Sequence, residues 1–254
     1  MTAILVAEGV SKSFGAVTAA ADLHVAIDRD SRVGLIGANG AGKTTFINLV
    51  TGYLKPTAGS IRFAGHELTA LSPRRVTQLG VSRSFQIPQL FSSLSARENL
   101  LVAVGIVAAA ADRWAHSAIT PARAGAATDE MLERFGLSPY RDRPAGLLPE
   151  GVRKLLDVAM ALVVQPRILL LDEPTSGVAA DEKFAIMDLV MGAVGGAGVT
   201  VLFIEHDMDI VARYAGRVLA FADGRIIADG EPARVLQDAD VRRFVIGEAA
   251  HAQH

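Results

Sequence analysis

The chain has 254 residues, half of them hydrophobic, with no cysteine and a formal net charge of −2 at pH 7. This length supports one large domain or two joined lobes with a sizeable core. The charge provides no basic excess for holding nucleic acid or anionic lipid, and the missing cysteines exclude disulfides and thiolate metal sites.

The first thirty residues predict antiparallel strands. Short alternating stretches, among them residues 23–27, are separated by Gly15 and by the polar run 28–30. Alternation of this kind is typical of strands with one face on a core and the other in solvent.

A strand, a glycine-rich loop and a helix are predicted next. The apolar run 33–36 breaks into glycines, after which Phe46, Leu49 and Val50 recur at helical spacing. Strand, glycine loop and helix in this order open an α/β nucleotide-binding fold.

Two later apolar runs, residues 168–171 and 199–204, predict strands buried on both faces of a parallel sheet, with a helix over 181–194 between them. Near the end, Asp223-Gly224 separates two apolar runs, which predicts a tight β-hairpin.

The middle of the chain differs, because it is rich in alanine and leucine and lacks convincing strands. We therefore predict one domain over residues 1–254. Its α/β nucleotide-binding core comprises 1–88 and 162–254, and a helical subdomain over 89–161 is inserted into it. The predicted class is an α/β P-loop NTPase with an antiparallel β subdomain.

Neither a signal peptide nor a membrane span is predicted. Residues 1–9 lack a basic start followed by a long apolar stretch. The most apolar run, residues 100–111, ends at Asp112, well short of the roughly 20 residues that a bilayer crossing needs. We expect a cytoplasmic protein that meets the membrane through a partner.

Residues 37–44 match the pattern G-x-x-x-x-G-K-[S/T]. Its glycines let backbone N–H groups point at phosphate oxygens, and the following helix dipole favours the anion. Lys43 is expected to reach the β- and γ-phosphates, and the Thr44 hydroxyl to bind Mg²⁺. An ordinary glycine turn is disfavoured because this loop follows a strand and opens a helix. The expected nucleotide-binding residues of the loop are Gly37, Asn39, Gly40, Ala41, Gly42, Lys43, Thr44 and Thr45.

Two acids, Asp172 and Glu173, end the apolar run 168–171. Asp172 is expected to hold Mg²⁺ from the side opposite Thr44. Glu173 is expected to polarise the water that attacks the γ-phosphate. Two acids after a strand are by themselves more often a helix cap or surface charge, but the phosphate loop reverses that preference.

Together these motifs resemble the ATPase subunits of ABC transporters over nearly the whole chain. The resemblance implies that Phe14 stacks on adenine, rather than filling a core. It further implies that Gln86 senses Mg²⁺ and the attacking water. By the same resemblance, the His206 side chain contacts the γ-phosphate and joins Glu173, Gln86 and Lys43 in catalysis.

One family motif is altered. In a dimer the family sequence Leu-Ser-Gly-Gly-Gln caps the nucleotide of the opposite subunit, but residues 148–152 read Leu-Pro-Glu-Gly-Val. Gly151 is retained, so a backbone N–H at a helix start can still face the γ-phosphate. Pro149 cannot replace the serine hydroxyl. Glu150 adds unfavourable negative charge, unless it turns outward or meets a cation such as Arg153.

Within the family, residues 36–51, 82–101 and 204–211 resemble the branched-chain amino acid importer type. This implies a subunit that uses ATP and Mg²⁺ to import branched-chain amino acids or related small organic solutes. The implied partners are integral membrane permease subunits, a second ATPase subunit (a heterodimer is favoured over a homodimer) and, indirectly, a solute-binding protein, without nucleic acid. The implied location is peripheral, on the inner face of the cell membrane.

Three alternatives remain weaker. A soluble ABC ATPase of translation or DNA repair usually has two cassettes or a long coiled coil, and this chain has neither. A non-catalytic scaffold subunit is motivated by the altered residues 148–152 but disfavoured by Glu173 and His206. A small kinase or GTPase is disfavoured because the chain has no Asn-Lys-x-Asp motif for guanine.

Overall fold

The computed structural model describes residues 3–111, 120–196 and 198–246. Asp112, predicted to end the apolar run, and residues 113–119 of the predicted helical subdomain lie outside the described residues, as do Met1 and Thr2. None of the helices within the described ranges has the length and apolar character that a bilayer crossing requires.

The secondary structure follows the predicted order of elements. The strands are β1 (Ala3–Phe14), β2 (Val17–Asp28), β3 (Arg32–Gly37), β4 (Ala58–Phe63), β5 (His66–Glu67), β6 (Val81–Arg83), β7 (Ile168–Asp172), β8 (Thr200–Ile204), β9 (Arg217–Ala222) and β10 (Arg225–Gly230). The helices are α1 (Lys43–Val50), α2 (Pro73–Gln78), α3 (Ala96–Ala111), α4 (Pro121–Arg134), α5 (Glu150–Leu162), α6 (Lys183–Val194), α7 (Met208–Tyr214), α8 (Pro232–Val235) and α9 (Ala239–Val241). Short 3₁₀ turns occupy Ser138–Tyr140 and Ala145–Leu147, and a π-helical turn occupies Arg242–Ile246.

The chain forms two compact units, Met1–Val81 with Gly198–His254, and Ser82–Ala197. We call them the first and second units. The predicted division into a core and a helical subdomain at residues 88 and 162 stays a prediction.

The first unit contains two sheets. In the antiparallel sheet the order is β2-β1-β4-β5, which confirms the strands predicted for the first thirty residues. In the other sheet β3 lies between β8 and β9 and is parallel to both. Every residue of β8 is buried, and so is every residue of β3 after Arg32, as expected for parallel strands covered on both faces.

The predicted hairpin closes the edge of this second sheet. β9 and β10 are antiparallel, and the turn residues Asp223 and Gly224 have φ angles of 47° and 74°. Two consecutive positive φ angles define the type I′ turn that matches the twist of hairpin strands.

The second unit is largely helical around a short buried strand. All five residues of β7 are buried, and the Ser84 N–H beyond β6 donates to the Leu170 carbonyl at 2.9 Å. Helix α3 contacts α4 and α5, and α5 also contacts α6 and β7. The apolar face of α5 therefore connects the strand to the surrounding helices.

Candidate functional site

The phosphate loop spans the end of β3 and the start of α1. Gly42 has a φ of 107°, and a Cβ atom there would lie 2.7 Å from the Ala19 carbonyl oxygen. A side chain is therefore excluded both by conformation and by space. The loop follows the carboxyl end of a parallel strand, where open α/β sheets bind ligands.

Lys43 lies inside the curve of this loop. Its side chain is buried, and Nζ donates to the carbonyl oxygens of Gly37 at 2.6 Å and Ala38 at 2.9 Å. Thr44 is exposed on the first turn of α1, which carries no acidic residue. Positive helix charge and an ammonium group thus coincide where an anion is expected.

His206 belongs to the same unit as the phosphate loop. It follows β8, whose parallel pairing with β3 aligns Ile204 with Leu35, so the loop and His206 lie at the same edge of the sheet. His206 is exposed, and its backbone N–H donates to the Glu205 carboxylate at 3.3 Å. The structure therefore brings these two predicted elements together.

Phe14 ends β1 and its side chain is 49% exposed, with the Lys12 ammonium 5.1 Å from the ring centroid. It is therefore no core phenylalanine. A large ring held at a strand end and open to solvent is a suitable stacking surface for a base.

In the second unit the structure joins Gln86 to Glu173. The Gln86 amide Nε2 donates to Glu173 Oε2 at 2.9 Å. Glu173 has a φ of 52°, which is unusual for a residue with a side chain, and its carbonyl oxygen accepts from Lys154 Nζ at 2.7 Å. Such conformations persist where neighbouring contacts enforce them, and they cluster at active sites.

Asp172 is buried and paired. Its Oδ2 accepts from Arg83 at 2.5 Å, and the Arg83 guanidinium also lies 5.1 Å from the ring centroid of Phe85. The sequence prediction missed Arg83, whose only signal was its position three residues before Gln86. A buried charge is costly unless it is paired, so Arg83 makes a buried Asp172 possible.

Gly151 is in the first turn of α5, as predicted. A Cβ atom there would lie 2.8 Å from Cδ1 of Ile186 on α6, so a larger residue would require the end of that side chain to move. Glu150 Oε2 lies 3.3 Å from a guanidinium nitrogen of Arg153. The cation expected to offset Glu150 is therefore present one helical turn away.

The sequence prediction also missed Asp157, a buried carboxylate on α5. It accepts from the backbone N–H of Phe85 at 2.9 Å and of Gln89 at 3.2 Å. Burial raises the pKa of Asp157 to about 6, although these two hydrogen bonds and the charges of Lys154 and Arg83 oppose the rise. A charged residue on the apolar face of α5 was the signal that could have identified it.

Comparisons with known proteins agree over nearly the full length. A family profile described as ABC transporter matches residues 20–176. The chain is 34% identical to the high-affinity branched-chain amino acid transport ATP-binding protein BraF of Pseudomonas aeruginosa, over 97% of this chain and 98% of that protein. It is 35% identical to the corresponding protein LivG of Escherichia coli strain K12, with the same two coverages.

Solved structures give the same result. The chain is similar to an ATP-binding cassette of an ABC transporter in its ADP conformation, with a TM-score of 0.82 and 31% identity over 98% of this chain and 100% of that one. It is also similar to a nucleotide-free ATP-binding cassette from an ABC transporter, with a TM-score of 0.80 and 29% identity over 94% and 97%.

Proposed function

The chain belongs to the ABC transporter family, and from that premise we propose that it hydrolyses ATP to power an importer of branched-chain amino acids or related small organic solutes. It binds ATP as a cassette of that family. The translocated solute passes through partner membrane permease subunits.

The observation that carries the proposal is the phosphate loop that curves around Lys43, at the sheet edge that also bears His206. The Lys43 ammonium is fixed by two carbonyl oxygens at 2.6 and 2.9 Å. Phosphoryl transfer to water depends mainly on positioning and charge neutralisation. Lys43 supplies the charge at the β- and γ-phosphates, His206 contacts the γ-phosphate, and Phe14 stacks on adenine.

We propose that Thr44, Gln86 and Asp172 would hold the Mg²⁺ that accompanies the nucleotide. Thr44 and Gln86 each offer an oxygen and Asp172 a carboxylate, and hard oxygen donors are the ligands that Mg²⁺ prefers. Among the described residues there is no cluster of three or more His, Cys, Asp or Glu that could hold a metal ion. The proposed ion is bound through one carboxylate and the nucleotide phosphates, as Mg²⁺ often is. When bound, the ion neutralises charge that develops on the phosphates.

Glu173 orients the attacking water or takes its proton. The support is its contact with Gln86, whose amide donates to the carboxylate at 2.9 Å. A general base must lie within hydrogen-bonding reach of the proton it removes, and Gln86 limits the directions in which Glu173 can point.

The chain works as a dimer with membrane permease subunits, and we favour a heterodimer with a second ATPase subunit. Gly151 then caps the nucleotide of the opposite subunit.

Ile87 and Phe91 support a permease contact near residues 88–99, since their side chains are 72% and 51% exposed and exposed apolar groups often mark interfaces. The chain is then peripheral on the cytoplasmic face, and a solute-binding protein delivers the cargo.

The test is uptake by the assembled transporter. The chain is reconstituted into vesicles with the permease, ATPase and binding-protein products of its neighbouring reading frames, and uptake of radiolabelled leucine is measured with ATP and Mg²⁺ on the cytoplasmic side. We expect uptake that requires both, and unlabelled isoleucine and valine should compete.

Two variants make this test specific. Lys43→Ala removes the phosphate contact and should abolish both ATP turnover and uptake, whereas Lys183→Ala, at the start of α6, should leave both near the wild-type level. ATP turnover without leucine uptake would contradict the amino acid assignment. Normal turnover by Lys43→Ala would contradict the site itself.

A further inference from the structure

Asp157 holds both ends of the short segment that carries Gln86. One carboxylate oxygen, Oδ2, accepts from the Phe85 N–H at 2.9 Å, and the other, Oδ1, accepts from the Gln89 N–H at 3.2 Å. The two donors are four residues apart, so a single side chain fixes the segment at its beginning and its end. We call residues 85–89 the Gln86 segment.

Three of the five residues of the Gln86 segment are exposed. Gln86, Ile87 and Gln89 are exposed, whereas Pro88 is buried and Phe85 is partly buried, so apolar burial in the segment comes from these last two residues. Inside the segment, the Gln89 amide donates to the Ile87 carbonyl at 3.0 Å. Exposed loops with few buried contacts open readily. The two hydrogen bonds to the buried Asp157 carboxylate therefore anchor the exposed part of the segment at both of its ends.

Lys154 lies on the same face of α5, one turn before Asp157. It contacts the turn that carries Glu173, the hydrogen-bond partner of Gln86. Its Nζ donates to the Glu173 carbonyl and to the Ser176 hydroxyl, each at 2.7 Å. These bonds fix the turn in which Glu173 adopts its left-handed backbone. Residues three apart on a helix share a face, so one surface of α5 holds both the Gln86 segment and the Glu173 turn.

We propose that Asp157 and Lys154 are positioning residues of α5 that set the contact between Gln86 and Glu173. Asp157 acts through the Gln86 segment and Lys154 through the Glu173 turn, and neither touches substrate. This inference rests on the proposed ATPase function, in which Gln86 and Glu173 prepare the attacking water. It gives α5 a role in catalysis within its own chain, separate from that of Gly151 at its start.

The test uses the full-length chain, assembled with its partner subunits, with ATP and Mg²⁺. Asp157→Asn keeps the shape but lets only one oxygen accept, while its NH₂ group faces the second N–H donor. We expect kcat to fall about 10- to 100-fold, because misplaced catalytic groups cost rate rather than ground-state binding. The dissociation constant for ATP should change by less than about threefold. Asp129→Asn is the matched control, since that carboxylate bonds Arg97 instead.

A double-mutant cycle separates positioning from general damage. In a Gln86→Ala background, Asp157→Asn should cause little further loss of kcat, because its effect passes through Gln86. A further loss equal to that seen in the wild-type background would overturn the proposal, and so would a wild-type kcat for Asp157→Asn alone.

If Asp157→Asn does not fold, Lys154→Met decides the question. We expect the same fall in kcat with ATP affinity retained, and little further loss in a Glu173→Gln background. Unchanged kcat in Lys154→Met would then overturn the proposal. A wild-type assembly without ATP turnover would instead contradict the proposed function, so the two failures are distinguishable.

Discussion

The side-chain amide of Gln86 donates a hydrogen bond of 2.9 Å to the carboxylate of Glu173. The two residues follow different strands, β6 and β7, and both are predicted to act on the attacking water. Because one hydrogen bond links them, their contributions to the rate should be strongly non-additive.

Replacing Glu173 by glutamine tests its role as the base. The amide keeps the size of the side chain but cannot accept a proton, so kcat should fall about 10²- to 10⁴-fold. ATP affinity should remain, since phosphate binding is assigned to Lys43 and the loop. Steady-state ATPase assays and titration with ATP measure the two effects. Glu130→Gln, on the exposed face of α4, is the control, and an unchanged rate for Glu173→Gln would remove Glu173 from its role.

Phe14 offers a second test, directed at the base of the nucleotide. Phe14→Ala removes the exposed ring and should weaken ATP binding by about 1–3 kcal/mol, the usual value of one aromatic stacking contact. Phe14→Trp should retain binding because it presents a larger ring. Equilibrium titration of both variants with ATP is the measurement. If Phe14→Ala and the wild type bind ATP with equal affinity, adenine does not stack on Phe14.

The altered motif at residues 148–152 predicts a gain of function. Pro149→Ser combined with Val152→Gln restores the hydroxyl and amide of the family sequence, so turnover of the assembled complex should rise. Arg153 already offsets Glu150 at 3.3 Å, so Glu150 is left unchanged. Leu147→Ser, which alters an exposed neighbour, controls for surface effects. If ATP turnover of the double variant equals that of the wild type, the altered motif does not limit turnover.

Asp157 should make stability depend on pH in a direction opposite to that of a paired surface acid. Burial raises its pKa from 3.8 to about 6, so the folded chain binds the proton more tightly than the unfolded chain does. The free energy of unfolding should therefore fall as pH rises from about 4 to 6, by about 3 kcal/mol in total. Above that range the effect is constant.

Urea unfolding at several pH values isolates this effect as the difference between wild type and Asp157→Asn. The variant has no carboxylate at this position, so the contribution falling between pH 4 and 6 should disappear from its profile. Parallel profiles for the two proteins would show that Asp157 has the same pKa in the folded and unfolded chains.

The sequence by itself determined the features whose geometry is local. The phosphate loop is one example, because its glycines, Lys43 and the start of α1 are contiguous and their backbone conformations follow from residue type. The Asp223-Gly224 hairpin is another, since two residues that tolerate positive φ specify its turn. Buried strands such as β8 could also be predicted, because a short run of apolar residues indicates by its composition that both faces of the strand are covered.

Only the tertiary structure decided which distant side chains meet. Asp172 pairs with Arg83, Glu173 with Gln86, and Asp157 with the backbone of the Gln86 segment, although 68 to 89 positions separate the bonded residues. A charged residue on an apolar helix face predicts that its side chain has a partner, because burying an unpaired charge is costly. The identity of that partner depends on how strands and helices pack. The whole core sets this packing, rather than any single stretch of sequence.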